Sequence, residues 1–262
     1  MARGLVANTS GTALYTVIED TAYRILPDGD REEIGTLLTR RGHVGMRIGL
    51  NQLVIVDGPY GYVYDLASGA FTQIPSDGWL GSETVEYFSG YFVFIDPATQ
   101  TFYKSALEDA LTIDPLDFAT ANAAPDKLIG QAVTGKVLVL FGEVSGEIWQ
   151  DAGLADFTFQ ANTGARIEAG LLGAHTAKEL DNSIFWLGRD ARGAGIVYRL
   201  EGFQARRIST MAVEQVIQRA ISDGEDMTKA VAYARQFDGH SVYVLQVPGL
   251  DTTWCYDASS GQ

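Results

Sequence analysis

The sequence predicts an all-β fold, a six-bladed β-propeller with short helical insertions and a truncated last blade. Three observations predict it. First, an aromatic followed by a polar residue recurs six times, at Tyr23-Arg24, Tyr64-Asp65, Tyr103-Lys104, Trp149-Gln150, Tyr198-Arg199 and Tyr256-Asp257. The spacings of these aromatics, 41, 39, 46, 49 and 58 residues, fall around the length of a propeller blade. Second, an apolar run precedes each aromatic: Leu14 to Ile18, Leu53 to Val56, Tyr91 to Ile95, Val137 to Phe141, Ile184 to Leu187 and Val242 to Leu245. Third, these runs do not alternate apolar with polar residues. A strand apolar on both faces needs cover on both faces, which stacked blades supply and a two-sheet sandwich supplies less well.

The elements follow in order. A turn-prone link joins each run to its aromatic, as in Asp57-Gly58-Pro59-Tyr60-Gly61 and Asp96-Pro97-Ala98-Thr99, so each pair reads as a hairpin. Innermost strands are expected at Gly4 to Ala7, Val44 to Ile48, Thr84 to Tyr87, Leu128 to Ala132, Ala174 to Ala177 and Ala230 to Tyr233. Outer strands are expected at Glu33 to Leu37, Phe71 to Ile74 and Ala205 to Ile208, with none in the sixth blade. Ser105-Ala106-Leu107-Glu108 has the spacing of a capping box and predicts a short helical turn. Met211 to Ser222 predicts a helix, with Val213, Val216, Ile217, Ala220 and Ile221 on one face, Thr210 as N-cap and Asp223-Gly224 at its end. The segments Ser105–Pro125 and Met211–Gly224 are read as insertions, the first being a loop whose removal between Leu107 and Ala123 should spare the fold.

Composition narrows the classes. The 262 residues suit one large all-β domain, residues 1–262. Gly is frequent, 29 residues against 7 Pro, as a turn-rich chain requires. Net charge is −14, with 33 acidic against 19 basic side chains, and such a surface repels DNA instead of neutralising its phosphates. A single cysteine, Cys255, excludes an intrachain disulfide, and its apolar setting reads as core. No apolar stretch is long enough for a membrane helix, and Met1-Ala2-Arg3-Gly4 opens no signal segment. The strand-like run just before Ser260-Gly261-Gln262 leads us to expect a piece of a longer protein.

No strong catalytic motif emerges, and no catalytic, cofactor-binding or metal-binding residue is assigned. His43, His175 and His240 lack zinc spacing and read as hydrogen-bonded structural residues. Ser76-Asp77-Gly78-Trp79 has a faint likeness to a sialidase Asp-box but not its spacing. Asp190-Ala191-Arg192-Gly193 reads as a turn. Arg40-Arg41 and Arg206-Arg207 read as solvated or salt-bridged, and Asp57, Asp65, Asp96 and Asp257 as caps on local backbone. Asn8-Thr9-Ser10 fits a glycosylation sequon, without weight in a chain that shows no secretory signal. Two other function classes stay open: a propeller glycoside hydrolase with paired axial carboxylates, and a carbohydrate- or receptor-binding propeller using Trp79 or Tyr60-Gly61-Tyr62.

Three stretches carry a family likeness. The first runs from Gly90 to Leu128, with Tyr91-Phe92-Val93-Phe94, Ile113-Asp114-Pro115-Leu116-Asp117-Phe118-Ala119 and Pro125-Asp126-Lys127-Leu128-Ile129. The second runs from Val137 through Phe141-Gly142 to Glu147-Ile148-Trp149. The third runs from Gly170 to Ile217, with Leu180-Asp181-Asn182-Ser183-Ile184-Phe185, Gly195-Ile196-Val197-Tyr198 and Arg207-Ile208-Ser209-Thr210. The ending Cys255-Tyr256-Asp257-Ala258-Ser259 adds to them. In order and spacing, from about Trp79 onward, the chain resembles the packaged-DNA stabilisation protein, or tail accessory factor, of short-tailed bacteriophages (podoviruses). The resemblance implies a non-enzymatic virion protein, a tail hub made in the bacterial host cytoplasm. It would close the DNA exit channel after packaging and support the tail needle and tailspikes. Its implied partners are the portal-adaptor ring, needle and tailspike proteins and further copies of itself in a ring, with no sequence-specific nucleic acid and no membrane. No catalytic residue comes with the resemblance. The two insertions are the candidate ring contacts, since cyclic rings need two unlike patches to meet.

Overall fold

Each apolar run becomes the second strand of an antiparallel sheet, and each aromatic-polar pair lies in the third. A computed structural model describes residues 2–8, 10–122, 126–154 and 157–261. Thr9 of the sequon and Pro125 lie outside the described residues. The chain divides into two units, Met1–Thr120 and Ala121–Gln262.

The first unit holds three four-stranded blades. Blade 1 is β1 (Ala2–Ala7), β2 (Leu14–Ile18), β3 (Thr21–Ile25) and β4 (Arg31–Thr36). Blade 2 is β5 (Gly45–Ile48), β6 (Gln52–Val56), β7 (Gly61–Asp65) and β8 (Phe71–Gln73). Blade 3 is β9 (Val85–Phe88), β10 (Tyr91–Ile95), β11 (Thr101–Lys104) and β12 (Phe118–Thr120). The second unit holds blade 4, with β13 (Leu128–Thr134), β14 (Val137–Gly142), β15 (Gly146–Asp151) and β16 (Phe159–Ile167). Blade 5 follows as β17 (Gly170–Leu171), β18 (Lys178–Leu180), β19 (Ser183–Asp190), β20 (Gly193–Glu201) and β21 (Gln204–Arg207). Helix α1 (Met211–Ser222) leads to blade 6, with β22 (Val231–Phe237), β23 (His240–Gln246) and β24 (Thr253–Asp257). Six successive meander sheets are the blade series of a six-bladed β-propeller, and among the described residues the sixth shows three strands, as expected from the sequence.

The packing explains the missing alternation. Successive side chains of a strand point to opposite faces. On β6, Leu53 and Ile55 enter the cluster shared with blade 1, and Val54 and Val56 the cluster shared with blade 3. On β19, Ile184 and Trp186 face blade 4, and Phe185 and Leu187 face blade 6. These two second strands are buried on both sides because a blade of the same unit covers each side.

Glycine sets the closeness of neighbouring innermost strands. A Cβ on Gly45 would lie 2.8 Å from the Glu83 carbonyl oxygen, inside contact distance. Gly45→Val is therefore expected to destabilise the first unit by about 2 kcal/mol through overpacking. Urea titration followed by circular dichroism would check this, and an unchanged midpoint would remove the close-approach argument.

Four expectations fail. The innermost strand of blade 5 is not Ala174 to Ala177 but the split pair β17 and β18. Between them Thr176 Oγ1 donates to the Gly173 carbonyl at 2.7 Å and accepts from Leu187 N–H at 3.3 Å, taking a ladder partner's place. Ser105 to Glu108 is not helical. Ser105 Oγ accepts from Phe92 N–H instead of capping a helix, and Glu108 sits at φ 57. Outer strands β12 and β16, not expected from the sequence, complete blades 3 and 4. Cys255 is exposed, because it points to the face of β24 opposite Trp254 and Tyr256, which pack against the core.

Candidate functional site

The residues with catalytic associations are held in structural contacts. Asp190 accepts from Arg192 N–H at 2.8 Å and from Tyr198 Oη at 3.1 Å, forming the expected turn. The Arg192 guanidinium beside it holds its carboxyl below the usual carboxylate range. Asp57, Asp65, Asp96 and Asp257 each accept backbone N–H groups within three residues. His240 Nδ1 lies 2.6 Å from Asp257 Oδ2, and this contact lowers the Asp257 pKa. The His175 carbonyl accepts from Ala232 N–H, tying blade 5 to blade 6. Trp79 Nε1 donates to the Pro59 carbonyl at 2.8 Å, and its ring packs edge-on against Phe94 and Tyr103. Tyr62 is buried and accepts from Leu38 N–H through its hydroxyl. Neither aromatic forms an open sugar platform. Among the described residues no three His, Cys, Asp or Glu side chains gather as a metal set.

Of the paired bases, Arg40, Arg206 and Arg207 are ion-paired. Arg40 meets Glu19 at 2.8 Å and Asp20 at 3.2 Å, and Arg206 meets Glu201 at 2.7 Å. Arg207 pairs with Glu214 of α1. Sequence reasoning missed Arg3, which is only 7% exposed. Its guanidinium donates to the carbonyls of Glu19, Thr39, Arg41 and Gly42 at 2.7 to 2.9 Å and to Thr39 Oγ1 at 2.7 Å. Thr39 Oγ1 in turn donates to Asp57 Oδ2 at 2.6 Å. One side chain thus pins the link from blade 1 to blade 2.

What remains are two projecting features with rigid roots. The first is the segment 105–117 between β11 and β12. Lys104 Nζ meets Asp117 Oδ2 at 2.6 Å and lies 4.6 Å from the Tyr91 ring centroid. Asp109 and Asp114 cap Leu111 and Leu116 N–H groups. Gln52 Oε1 accepts from Ala110 N–H at 2.9 Å, tying the segment to blade 2. The Tyr87 hydroxyl donates to the Glu108 carboxylate, and burial together with that carboxylate pushes the phenol up to about 12. Ala110 and Ile113 are buried in the core. Leu107 and Leu116 point outward, 61% and 81% exposed. The segment is therefore part of blade 3. Deleting Leu107 to Ala123 would remove three core side chains, Ala110, Ile113 and Ala121, together with β12, so the segment is not the dispensable loop expected from the sequence.

The second feature is α1. Thr210 caps it by accepting from Val213 N–H, and Asp223 ends it as expected. Ile217 and Ala220 are buried against blades 5 and 6. Gly195 makes room, since a Cβ there would lie 2.8 Å from Ile217. Val216, expected on the inner face, is exposed. At about 100° per residue it turns away from the Ile217 side. Glu214 takes inner-face space instead, held by Arg207 and by Ser209 Oγ at 2.6 Å. Met211 and Val216 face outward. No described helix is long and apolar enough to cross a membrane.

Comparison with known proteins places this geometry. The family model described as "Bacteriophage P22 Gp10, beta-propeller" matches residues 1–262. A search of curated proteins found no match. Among solved structures, the N-terminal domain of Nup159 is 11% identical with TM-score 0.56, over 98% of this chain and 74% of that one. Kluyveromyces lactis Hsv2 is 9% identical with TM-score 0.55, over 99% and 83%. PorZ, of the type-IX secretion system of Porphyromonas gingivalis, is 13% identical with TM-score 0.52, over 98% of this chain and 33% of that one. At these identities the structural likenesses speak for fold alone.

Proposed function

Since the chain belongs to the phage packaged-DNA stabilisation family, the Gp10 β-propellers, and is a phage structural protein, we propose that it serves without catalysis in the tail hub. In that role it closes the DNA exit channel after packaging and supports the needle and spikes. The family match over the whole chain carries the reading. Its partners are the portal-adaptor ring, needle and tailspike proteins and neighbouring copies, and its place is the virion tail, after synthesis in the host cytoplasm.

The chemistry of the chain supports this. A net charge of −14 suits the wall of a DNA conduit, which must let the duplex slide without holding it. The exposed leucines on segment 105–117 and the outer side of α1 supply two unlike apolar patches, as heterologous ring contacts require. Their roots are locked by ion pairs and backbone caps, so little freedom is lost on contact.

The test is reconstitution on purified portal-adaptor rings. Leu107→Glu with Leu116→Glu should abolish ring incorporation. Both side chains are exposed, so stability should stay within roughly 0.5 kcal/mol of the parent. Full incorporation of the double variant would overturn the placement of the contact. Hydrolysis of any member of a glycoside panel by the purified protein would overturn the non-catalytic reading.

A further inference from the structure

The turn 49–51, between β5 and β6, and the segment 105–117, between β11 and β12, meet at Tyr87. The Tyr87 hydroxyl accepts from Leu50 N–H and donates to the Glu108 carboxylate. Leu50 is 67% exposed and stands beside the outward-pointing Leu107 and Leu116 of the segment. The two segment leucines have no room to turn inward. Ala110 and Ile113 already fill the inner side. The backbone between them is pinned as well, since Ala106 N–H donates to the Thr112 carbonyl and Glu108 N–H to the Gly90 carbonyl. Leu107 also lies over Gly90, where a Cβ would come within 2.6 Å of it. Single exposed leucines are ordinary on a protein surface. Three at one end of two adjoining blades, on rigid roots, form a patch of the kind that partners cover.

Charge selects what covers it. Residues 105–117 carry four carboxylates, Glu108, Asp109, Asp114 and Asp117, and no Lys or Arg. Lys104, at the root of the segment, neutralises Asp117 and leaves the other three beside the leucines. That rim repels the phosphates of a nucleic acid and the headgroups of an anionic membrane. A second copy of the chain fits it poorly too. The net charge is −14, and at least eleven of the 19 basic side chains are already paired with carboxylates of the same chain. The surface that complements the patch is therefore basic and belongs to another protein.

We propose that Leu50, Leu107 and Leu116 form a docking site for a basic amphipathic element of a different protein. Its apolar stripe receives the leucines, and its Lys or Arg side chains lie against Glu108, Asp109 and Asp114. The leucines supply the buried area, and the carboxylates speed the encounter and fix the orientation. Asp109 and Asp114 are held by their own backbone caps, so docking orders little that is not ordered already. The inference deepens the tail-hub reading, which puts a contact on this segment, by naming the chemistry of the surface that the contact meets.

The probe is a fluorescein-labelled amphipathic helical peptide of leucine and lysine, titrated with the 262-residue protein beside a counterpart in which glutamate replaces lysine. Anisotropy should rise saturably with the lysine peptide alone, and the affinity should fall steeply as salt is added. Leu107→Ser with Leu116→Ser should weaken binding roughly tenfold. Asp109→Asn with Asp114→Asn keeps the backbone caps, so it should leave the melting temperature unchanged while weakening binding about fivefold and flattening the salt dependence. No saturable binding, equal binding of the glutamate peptide, or full affinity in the leucine variant would overturn the proposal. Self-association of the parent that the leucine variant abolishes would overturn it as well, because the occupant would then be a second copy. Incorporation into portal-adaptor rings without peptide binding would sink this inference and spare the tail-hub reading. Peptide binding by a protein that the rings reject would do the reverse.

Discussion

Trp186→Ala is expected to destabilise the second unit by about 4 kcal/mol, at the upper end of core truncations. Trp186 is fully buried on β19. Its ring lies 5.0 Å from Phe141 of blade 4 and stacks on Tyr198 at 5.5 Å. Its indole N–H donates to the Gly170 carbonyl at 3.2 Å. Removing it opens a cavity between blades 4 and 5 and leaves that carbonyl without its indole partner. The neighbouring sheets cannot collapse into the space, because each is held by its own hydrogen-bonded ladder. Trp186→Phe keeps most of the packing and should cost clearly less. Urea denaturation monitored by circular dichroism would measure both. A loss below about 1 kcal/mol for the alanine variant would contradict the packing described between these blades.

Arg3→Ala should cost the first unit about 3 kcal/mol, although Arg3 is among the first residues of the chain. Its guanidinium serves four carbonyls and one hydroxyl, more than any neutral side chain could satisfy. Deletion leaves those acceptors facing a site that the fold keeps nearly dry, and removes the positive charge near Asp57. Arg3→Lys keeps the charge but loses the planar fork, so it should recover only part of the stability. Hydrogen exchange offers the sharper measurement. Amides of Leu37 and Val44, which bond to Asp20 and Arg3 carbonyls, should lose protection first. Equal stability of the alanine variant and the parent would show that water replaces the guanidinium without cost.

The six hairpins were legible in the sequence because their signals are local. A non-alternating apolar run, a turn and an aromatic sit within a dozen or so residues, and the structure places all six pairs on second and third strands. Helix α1 was legible for the same reason, from a cap, a periodic face and a terminal glycine. The outer strands β12 and β16 were not. Most of their side chains are exposed or half-buried, and the sequence of β16, Phe-Gln-Ala-Asn-Thr-Gly-Ala-Arg-Ile, reads as loop.

The split innermost strand of blade 5 was hidden because Thr176 bonds to residues that precede and follow it in the fold: Gly173, Leu187 and, through its carbonyl, Tyr243. Ser105 to Glu108 carries the residues of a capping box. Yet Ser105 bonds back to β10 and Glu108 is drawn to Tyr87, so tertiary contacts outweigh a local preference worth about 1 kcal/mol.

The sequence by itself determined the number of blades, the hairpin at the centre of each, and the family, because these rest on periodicity and turn chemistry repeated along the chain. Only the tertiary structure decided which side chains face out. It turned Leu107 and Leu116 toward solvent, buried Arg3 and Glu214, and left Cys255 exposed. Those outcomes depend on partners far away in the chain. Whether a leucine is covered or an arginine finds its carbonyls is settled when the blades stack, and no window of neighbouring residues contains that information.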